Sequence, residues 1–354
     1  MMSWLKALNR RRLFWKRLRV VKKDDLPQRN PLTRPERVKR LLVIDAFPGF
    51  GDAVYTNGLL SALVRDGREV SDAAREKMLS VFRTNDALEA IYALESESDR
   101  QACLAENFDM VVDLDYNHTH TFPLRMPWLK ALRAFAATCS EYGRELNVFH
   151  DFIDISRFAH VGERLGLVRA YVLGRENVEP IRPVFDVPEH APLESKAVYV
   201  NTLASQDDRC LSAEQIAQLA AWFRKEQRIC GLFYVSDDVK LEEGPWVKRI
   251  RPDSFASAAS VLKQTVAVIT PDTSMVHVAA AFEKPVLALF CGKERDYFPA
   301  YAMSETWTPR SEKAMVVKPD ESLPGKVVPV SAISPSALED GLRWLRDAVE
   351  ERAS

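Results

Sequence analysis

The sequence predicts an α/β protein of two domains, each a parallel sheet covered by helices. Three observations carry this. Short continuous apolar runs, the mark of strands buried on both faces, alternate with segments of helical spacing in both halves of the chain. A stretch with four prolines (Pro180, Pro183, Pro188, Pro192) separates the halves. The length, 354 residues, is enough for two domains of ordinary size.

Residues 1–37 read as a basic amphipathic tail and linker. Positions 1–23 hold nine Lys/Arg and no acid, interleaved with Trp4, Leu8, Trp15 and Leu18. That composition suits an anionic membrane surface, and equally a solvated basic tail. Pro27, Pro31 and Pro35 mark the linker.

Residues 38–182 form the expected first domain. Arg40 to Ala46 is a buried strand, followed by a Pro-Gly-Phe-Gly-Asp turn and a helix from Ala53 to Arg65. Helical patterns lie around 73–82 and 98–107, and Asp109 to Asp115 is another buried strand. Strands alternating with helices imply parallel βαβ units. Residues 183–195 are the expected interdomain linker.

Residues 196–330 form the expected second domain. Its strands are Ala197 to Val200, Ile229 to Val235, Thr265 to Thr270 and Val286 to Phe290. Its helices are Ser212 to Lys225, Phe255 to Lys263 and the alanine-rich segment after Asp272. A final helix, in 331–354, opens at Ser334-Pro-Ser-Ala-Leu-Glu with Ser334 or Ser336 as its cap.

Composition excludes several classes. At 28% charged residues and a net charge of −1, the chain lacks the basic excess of a nucleic-acid binder. Five cysteines, none spaced C-x-x-C, argue against a disulfide framework or a zinc site and for a reducing compartment. No run of 18 apolar residues is long enough to span a bilayer, and no apolar core of a secretory signal follows the basic start.

Four loops are candidates for chemistry, each after a strand and so at the carboxyl edge of its sheet. Gly49-Phe-Gly51-Asp52 allows close backbone approach to a ligand, and Asp52 is either a helix N-cap or a general base. Val54 stands where a dinucleotide fingerprint needs a third glycine, which counts against a dehydrogenase. The Asp272-Thr273-Ser274 turn offers three good N-caps. A helix starting there aims its positive end where α/β sheets bind phosphate, with His277 in its first turn. Gly292 and Lys293, after the next strand, are placed to approach the same diphosphate. In Thr202 to Arg209, Ser205 offers a hydroxyl and Arg209 a cation of fork geometry. Ser236-Asp237-Asp238 suits sugar hydroxyls or a helix cap. Asp115 and Asn117, at the end of their strand, are candidates to touch an acceptor. His118 and His120 alternate as strand neighbours do, but no third ligand accompanies them, so no metal site is expected.

Two signatures together resemble glycosyltransferase family 9, the bacterial heptosyltransferases of lipopolysaccharide core assembly. One is Leu41-Leu-Val-Ile-Asp-Ala46 with Gly51-Asp-Ala-Val-Tyr-Thr-Asn-Gly-Leu-Leu-Ser-Ala-Leu63. The more specific is Asp272-Thr-Ser-x-x-His-x-x-Ala-Ala281 with Pro285 to Phe290. The resemblance covers roughly residues 38 to 350. It implies a GT-B fold, two Rossmann-like domains whose parallel sheets face a central cleft. It implies inverting, metal-independent transfer from a nucleotide-diphosphate sugar, with ADP-heptose the family's usual donor, to a lipid-linked glycan acceptor. Asp52 matches the family's base, and Asp272, Thr273 and His277 its diphosphate site. Arg209 stands where lysine is common, Ser274 where glycine is usual, and Phe47-Pro48 replaces a small polar turn. Ala204-Ser205-Gln206 lacks the hydroxyl pair of some members, which keeps a non-catalytic nucleotide- or glycan-binding protein as the alternative. The expected location is cytoplasmic, peripheral on the inner face of the membrane.

Overall fold

Strand pairing divides the chain into two doubly wound sheets of six parallel strands. The computed structural model describes residues 37–47, 49–115, 121–139, 148–187, 193, 196–293, 303–309, 313–320 and 327–351. They fall into two compact units. The first runs to Arg157 and resumes over Gly162–Ile181; the second comprises Phe158–Val161 and the chain from Arg182 onward.

The first unit opens with β1 (Arg40–Asp45), whose residues from Leu41 onward are buried because both faces of the sheet are covered. Helix α1 (Phe50–Arg65) returns over the sheet to β2 (Glu69–Ala74). Then follow α2 (Leu79–Phe82), β3 (Ala90–Ala93), α3 (Glu97–Leu104), β4 (Met110–Asp113) and α4 (Phe122–Ala131). Strands β5 (Phe135–Thr138) and β6 (Asp151–Phe152) and helix α5 (Val161–Leu173) complete it. The order across the sheet is β3-β2-β1-β4-β5-β6.

The second unit repeats the plan. It runs β7 (Ala197–Asn201), α6 (Ala213–Glu226), β8 (Cys230–Tyr234), β9 (Val247–Ile250), α7 (Phe255–Gln264), β10 (Ala267–Pro271), α8 (Ser274–Ala281) and β11 (Val286–Leu289). Its sheet order is β13-β11-β10-β7-β8-β9, with β13 at Ala314–Val317. Counted within each unit, both sheets read 3-2-1-4-5-6. In such sheets ligands bind where the winding reverses, outside the carboxyl ends of the first and fourth strands. Those ends are β1 and β4 in one unit, β7 and β10 in the other. Short β12 (Gly292–Lys293) pairs antiparallel with β14 (Val327–Val328), and α9 (Met303–Trp307) and α10 (Pro335–Glu350) complete the elements.

Local chemistry explains the helix starts. Ser212 accepts from the Gln215 amide, and Gln215 reaches back to the Ser212 amide, a full capping box. Ser254 caps α7, and Ser334 caps α10 with Pro335 at its first position. Leu338, Leu342, Leu345 and Val349 make a buried stripe at helical spacing. Burying each such side chain contributes about 1.5–3 kcal/mol.

The structure corrects several sequence expectations. The segment around 73–82, expected to be helical, begins as the end of strand β2 and turns helical from Glu76, through a 3₁₀ turn into α2. Its strand, Glu-Val-Ser-Asp-Ala-Ala, is too polar to show as an apolar run, yet its last five residues are buried. Helix α1 starts at Phe50, three residues earlier than the apolar spacing indicated. Strands β3, β5, β6, β9 and β13 have two to four residues each, too short for periodicity to register.

Gly231 lets α6 press onto the second sheet. A Cβ there would come within 2.6 Å of a Phe233 ring atom and 2.7 Å of one on Phe223. Both rings are fully buried and stand edge to face, so neither can swing away. Gly231→Ala should therefore destabilise the protein by about 1–3 kcal/mol, read as a lower urea midpoint.

Candidate active site

In the first unit the chain leaves β1 at Asp45, turns through Gly49 and enters α1. Gly49 is the N-cap residue, in extended conformation. Asp52 is therefore not the N-cap that one sequence reading allowed. It sits at the third helical position, where a carboxylate favours the positive end of the dipole. A Cβ on Gly49 would lie 2.6 Å from Asp52 Oδ2, so the absence of a side chain at 49 is what lets the carboxylate fold back beside the turn. Gly51 occupies the second helical position, between them.

Beneath this turn lies a buried polar cluster that the sequence reading did not identify. Asp45, Asp72, Asp113, Asp115 and Arg125 are all nearly or wholly excluded from solvent. The Phe47 amide donates to Asp45 Oδ1 at 3.0 Å, so Asp45 shapes the turn that leads to Asp52. Arg125, on α4, forms ion pairs with Asp113 and, through Nε at 3.0 Å, with Asp115 Oδ2. Thr121 donates to Asp115, and Thr138 donates to Asp113 at 3.1 Å. Burial pushes the Asp45 carboxyl up to about 7 against the lowering pull of the Phe47 amide and Thr56. It pushes Asp113 up to about 6 despite Arg125, and Asp72 well above the usual carboxylate range. Asp115 was expected to face an acceptor. Fully buried and held by Arg125 and Thr121, it cannot touch one. Asn117, His118 and His120 lie outside the described residues.

In the second unit, Asp272 follows β10 and Thr273 caps α8, its side chain accepting from the Met275 amide at 3.3 Å. Of the three possible caps the backbone selects Thr273; Ser274 is the first helical residue. Arg209, in a single 3₁₀ turn over Asp207–Arg209, reaches Asp272 with Nη1, 3.4 Å from its carbonyl oxygen and 3.5 Å from Oδ2. The structure thus brings Arg209 to the start of α8. His277 lies one turn further in and is buried, with the Trp307 ring centroid 5.5 Å from its own. Burial, with a smaller push from His160, drives its pKa down to about 3. Burial therefore favours the neutral ring of His277 over the imidazolium. His160 is tied in turn to the Thr308 carbonyl oxygen at 2.8 Å.

The remaining candidates are placed differently. Ser205 is exposed in its loop. Asp237 is exposed and pairs with Arg251 at 3.0 Å. No helix follows it, so the cap reading fails. Its loop is held instead by Arg249, which donates to the carbonyl oxygens of Ser236 at 2.8 Å and Val239 at 2.7 Å. Gly292 and Lys293 are not an open turn at the sheet edge. Their backbones are extended and paired in the β12–β14 ribbon.

Comparison with known proteins follows this geometry. Residues 251–323, which include α7, β10, α8 and β11, match the model of glycosyltransferase family 9 (heptosyltransferase). No curated protein matches the chain in sequence. Among solved structures, a family 9 glycosyl transferase from Veillonella parvula is 17% identical with a TM-score of 0.70, over 91% of this chain and 100% of that one. The E. coli ADP-heptose lipopolysaccharide heptosyltransferase II is 16% identical with a TM-score of 0.68, over 89% and 100%. E. coli heptosyltransferase WaaC, solved with ADP-2-deoxy-2-fluoro heptose, is 16% identical with a TM-score of 0.64, over 86% and 99%. The family 9 match and the shared fold together support a glycosyltransferase with two Rossmann-like domains.

The raised Asp45 carboxyl gives a signed prediction. An acid whose folded pKa exceeds its unfolded value stabilises the protein fully below the unfolded pKa, near 3.8, and that stability is lost as pH rises through about 7. In that window one such proton contributes a slope of about 1.4 kcal/mol per pH unit. Asp45→Asn should flatten the decline of unfolding free energy between pH 4 and pH 7 by up to that slope, measured by urea denaturation across pH.

Proposed function

We propose that the chain is an inverting, metal-independent glycosyltransferase that moves a sugar from a nucleotide-diphosphate donor to a hydroxyl of a glycan acceptor. One observation carries the reading. Within the family 9 stretch, the Thr273-capped start of α8 stands beside Asp272, with the Arg209 guanidinium held at the same place. A helix start with a fixed cation beside it is suited to a diphosphate.

The chemistry balances with these groups. The Asp52 carboxylate takes the proton of the acceptor hydroxyl. The acceptor oxygen bonds to the anomeric carbon from the face opposite the leaving group, which inverts the configuration. The bond from that carbon to the diphosphate oxygen breaks, and the diphosphate leaves with the electron pair. Its growing charge is met by the α8 dipole and by Arg209. Neutral His277 adds orientation rather than charge.

ADP-heptose is the proposed donor, since the E. coli relatives include an ADP-heptose heptosyltransferase and WaaC bound to ADP-2-deoxy-2-fluoro heptose. A lipopolysaccharide core or related glycan is the proposed acceptor, with the enzyme on the inner face of the cytoplasmic membrane. The basic aromatic residues 1–23 are proposed to hold it to anionic lipid.

Asp52→Asn should lower turnover by about 10²–10⁴, the span typical of a lost general base. ADP affinity, measured calorimetrically without divalent metal, should stay within about twofold. Turnover of the variant within tenfold of wild type would remove Asp52 from the role. A wild-type protein that binds none of ADP, UDP, GDP or CMP would overturn the reading in favour of a non-catalytic protein. In a separate experiment, deleting residues 1–23 should reduce partitioning onto vesicles containing anionic lipid. Unchanged partitioning would exclude the membrane role.

A further inference from the structure

We infer that Asn201 is the positioning residue of the donor site, one buried amide that sets both the start of α8 and the loop carrying Arg209. The inference rests on the donor-site reading above.

Asn201 ends β7 and is buried. Strands β7 and β10 are neighbours, and the winding of the sheet reverses between them. The carboxamide spans that point. Its Nδ2 donates to Thr270 Oγ1 at 3.2 Å and to Thr273 Oγ1 at 3.3 Å. Its Oδ1 accepts the Leu203 amide at 3.1 Å, two residues ahead of Ser205 and six ahead of Arg209. Thr270 donates to the Pro271 carbonyl oxygen at 3.0 Å, which leaves Thr273 to donate to Thr270, also at 3.0 Å. Thr273 Oγ1 in turn accepts the Met275 amide and so caps α8.

Two donors and one acceptor are in use on a single side chain, a combination only a carboxamide supplies at this length. An aspartate at 201 would have no proton for the two threonines and would place a charge beside the phosphates. A leucine of similar size would break all three bonds and leave the Leu203 amide and both hydroxyls short of a partner.

Because the network touches only the phosphate-reading parts, its loss should be selective. The test compares calorimetric binding of ADP and AMP to the full chain. Wild type should prefer ADP. Asn201→Leu should weaken ADP tenfold or more and AMP less than threefold, so that the preference collapses. Thr273→Val, which removes the other end of the same network, should do the same; Thr273→Ser, which keeps the hydroxyl, should not. The double variant Asn201→Leu/Thr273→Val should lose no more than the worse single variant, since both act through one network. Equal weakening of ADP and AMP together with a fall in melting temperature would reduce Asn201 to a structural role and overturn the inference. Unchanged ADP binding in Asn201→Leu and in Thr273→Val would overturn it as well. If Asn201→Leu does not fold, the two Thr273 variants decide. A wild type that binds neither nucleotide would defeat the donor-site reading, and this inference with it. Wild-type binding with failed selectivity would defeat the inference alone.

Discussion

A parallel sheet covered on both faces leaves polar chemistry only one place to go, the ends of its strands. That constraint governs both units. Along β1, β4, β7 and β10 the interior positions are apolar and buried, and the polar residues gather at the last one or two positions or just beyond. Asp45, Asp113, Asn201, Thr270 and Asp272 all sit there. The two units solve the same geometric problem with opposite chemistry. The first collects carboxyl groups, of which one guanidinium pairs with two and burial raises the pKa of the others. The second uses hydroxyls, an amide and a helix start, with the Arg209–Asp272 pair beside them.

That contrast has a functional logic. In the first unit the Asp45 carboxyl accepts the Phe47 amide and so shapes the turn into α1, at whose third position Asp52 sits. A site meant to accept a dianion does well with dipoles fixed in advance, because dipoles need no counter-charge when empty. A row of buried cations would have to be desolvated without a partner until donor arrived, at a cost of several kcal/mol each. Arg209 avoids that cost by resting on Asp272, and His277 avoids it by staying neutral.

Legibility from sequence followed the same physics. The strongly apolar strands, β1, β4, β7, β8, β10 and β11, were visible because burial on both faces writes a continuous run. The turns after β1 and β10 were visible because glycine and cap residues there have few alternative uses. Strand β2 was hidden by Asp72 and Ser71, residues that report a buried polar cluster rather than an edge. The start of α1 was misjudged because Gly49 and Phe50 carry no cap signal. Asn201 was missed for a different reason. A polar residue at the end of an apolar run reads as the strand stopping, and only the pairing of β7 with β10 reveals that two distant loops meet at it. Hydrogen-bond partners 69 and 72 residues away leave no local pattern to find.

Burial of His277 bears on the charge available at the α8 start. An imidazolium at that position would lower the phosphate's charge by a full unit, yet it would have to be created against burial and against His160 beside it. With the pKa at about 3, nearly all molecules at neutral pH carry the uncharged ring, so the ring can offer one N–H and no net charge. Among the described residues, the positive field at the α8 start comes from the helix dipole and Arg209. The dipole is fixed by Thr273, and Arg209 is set by a loop whose first turn is fixed by Asn201. Since the same carboxamide reaches both, the two sources cannot be positioned independently. Displacing one strains the bonds that hold the other, so a single uncharged side chain ties the start of α8 to the loop that carries Arg209.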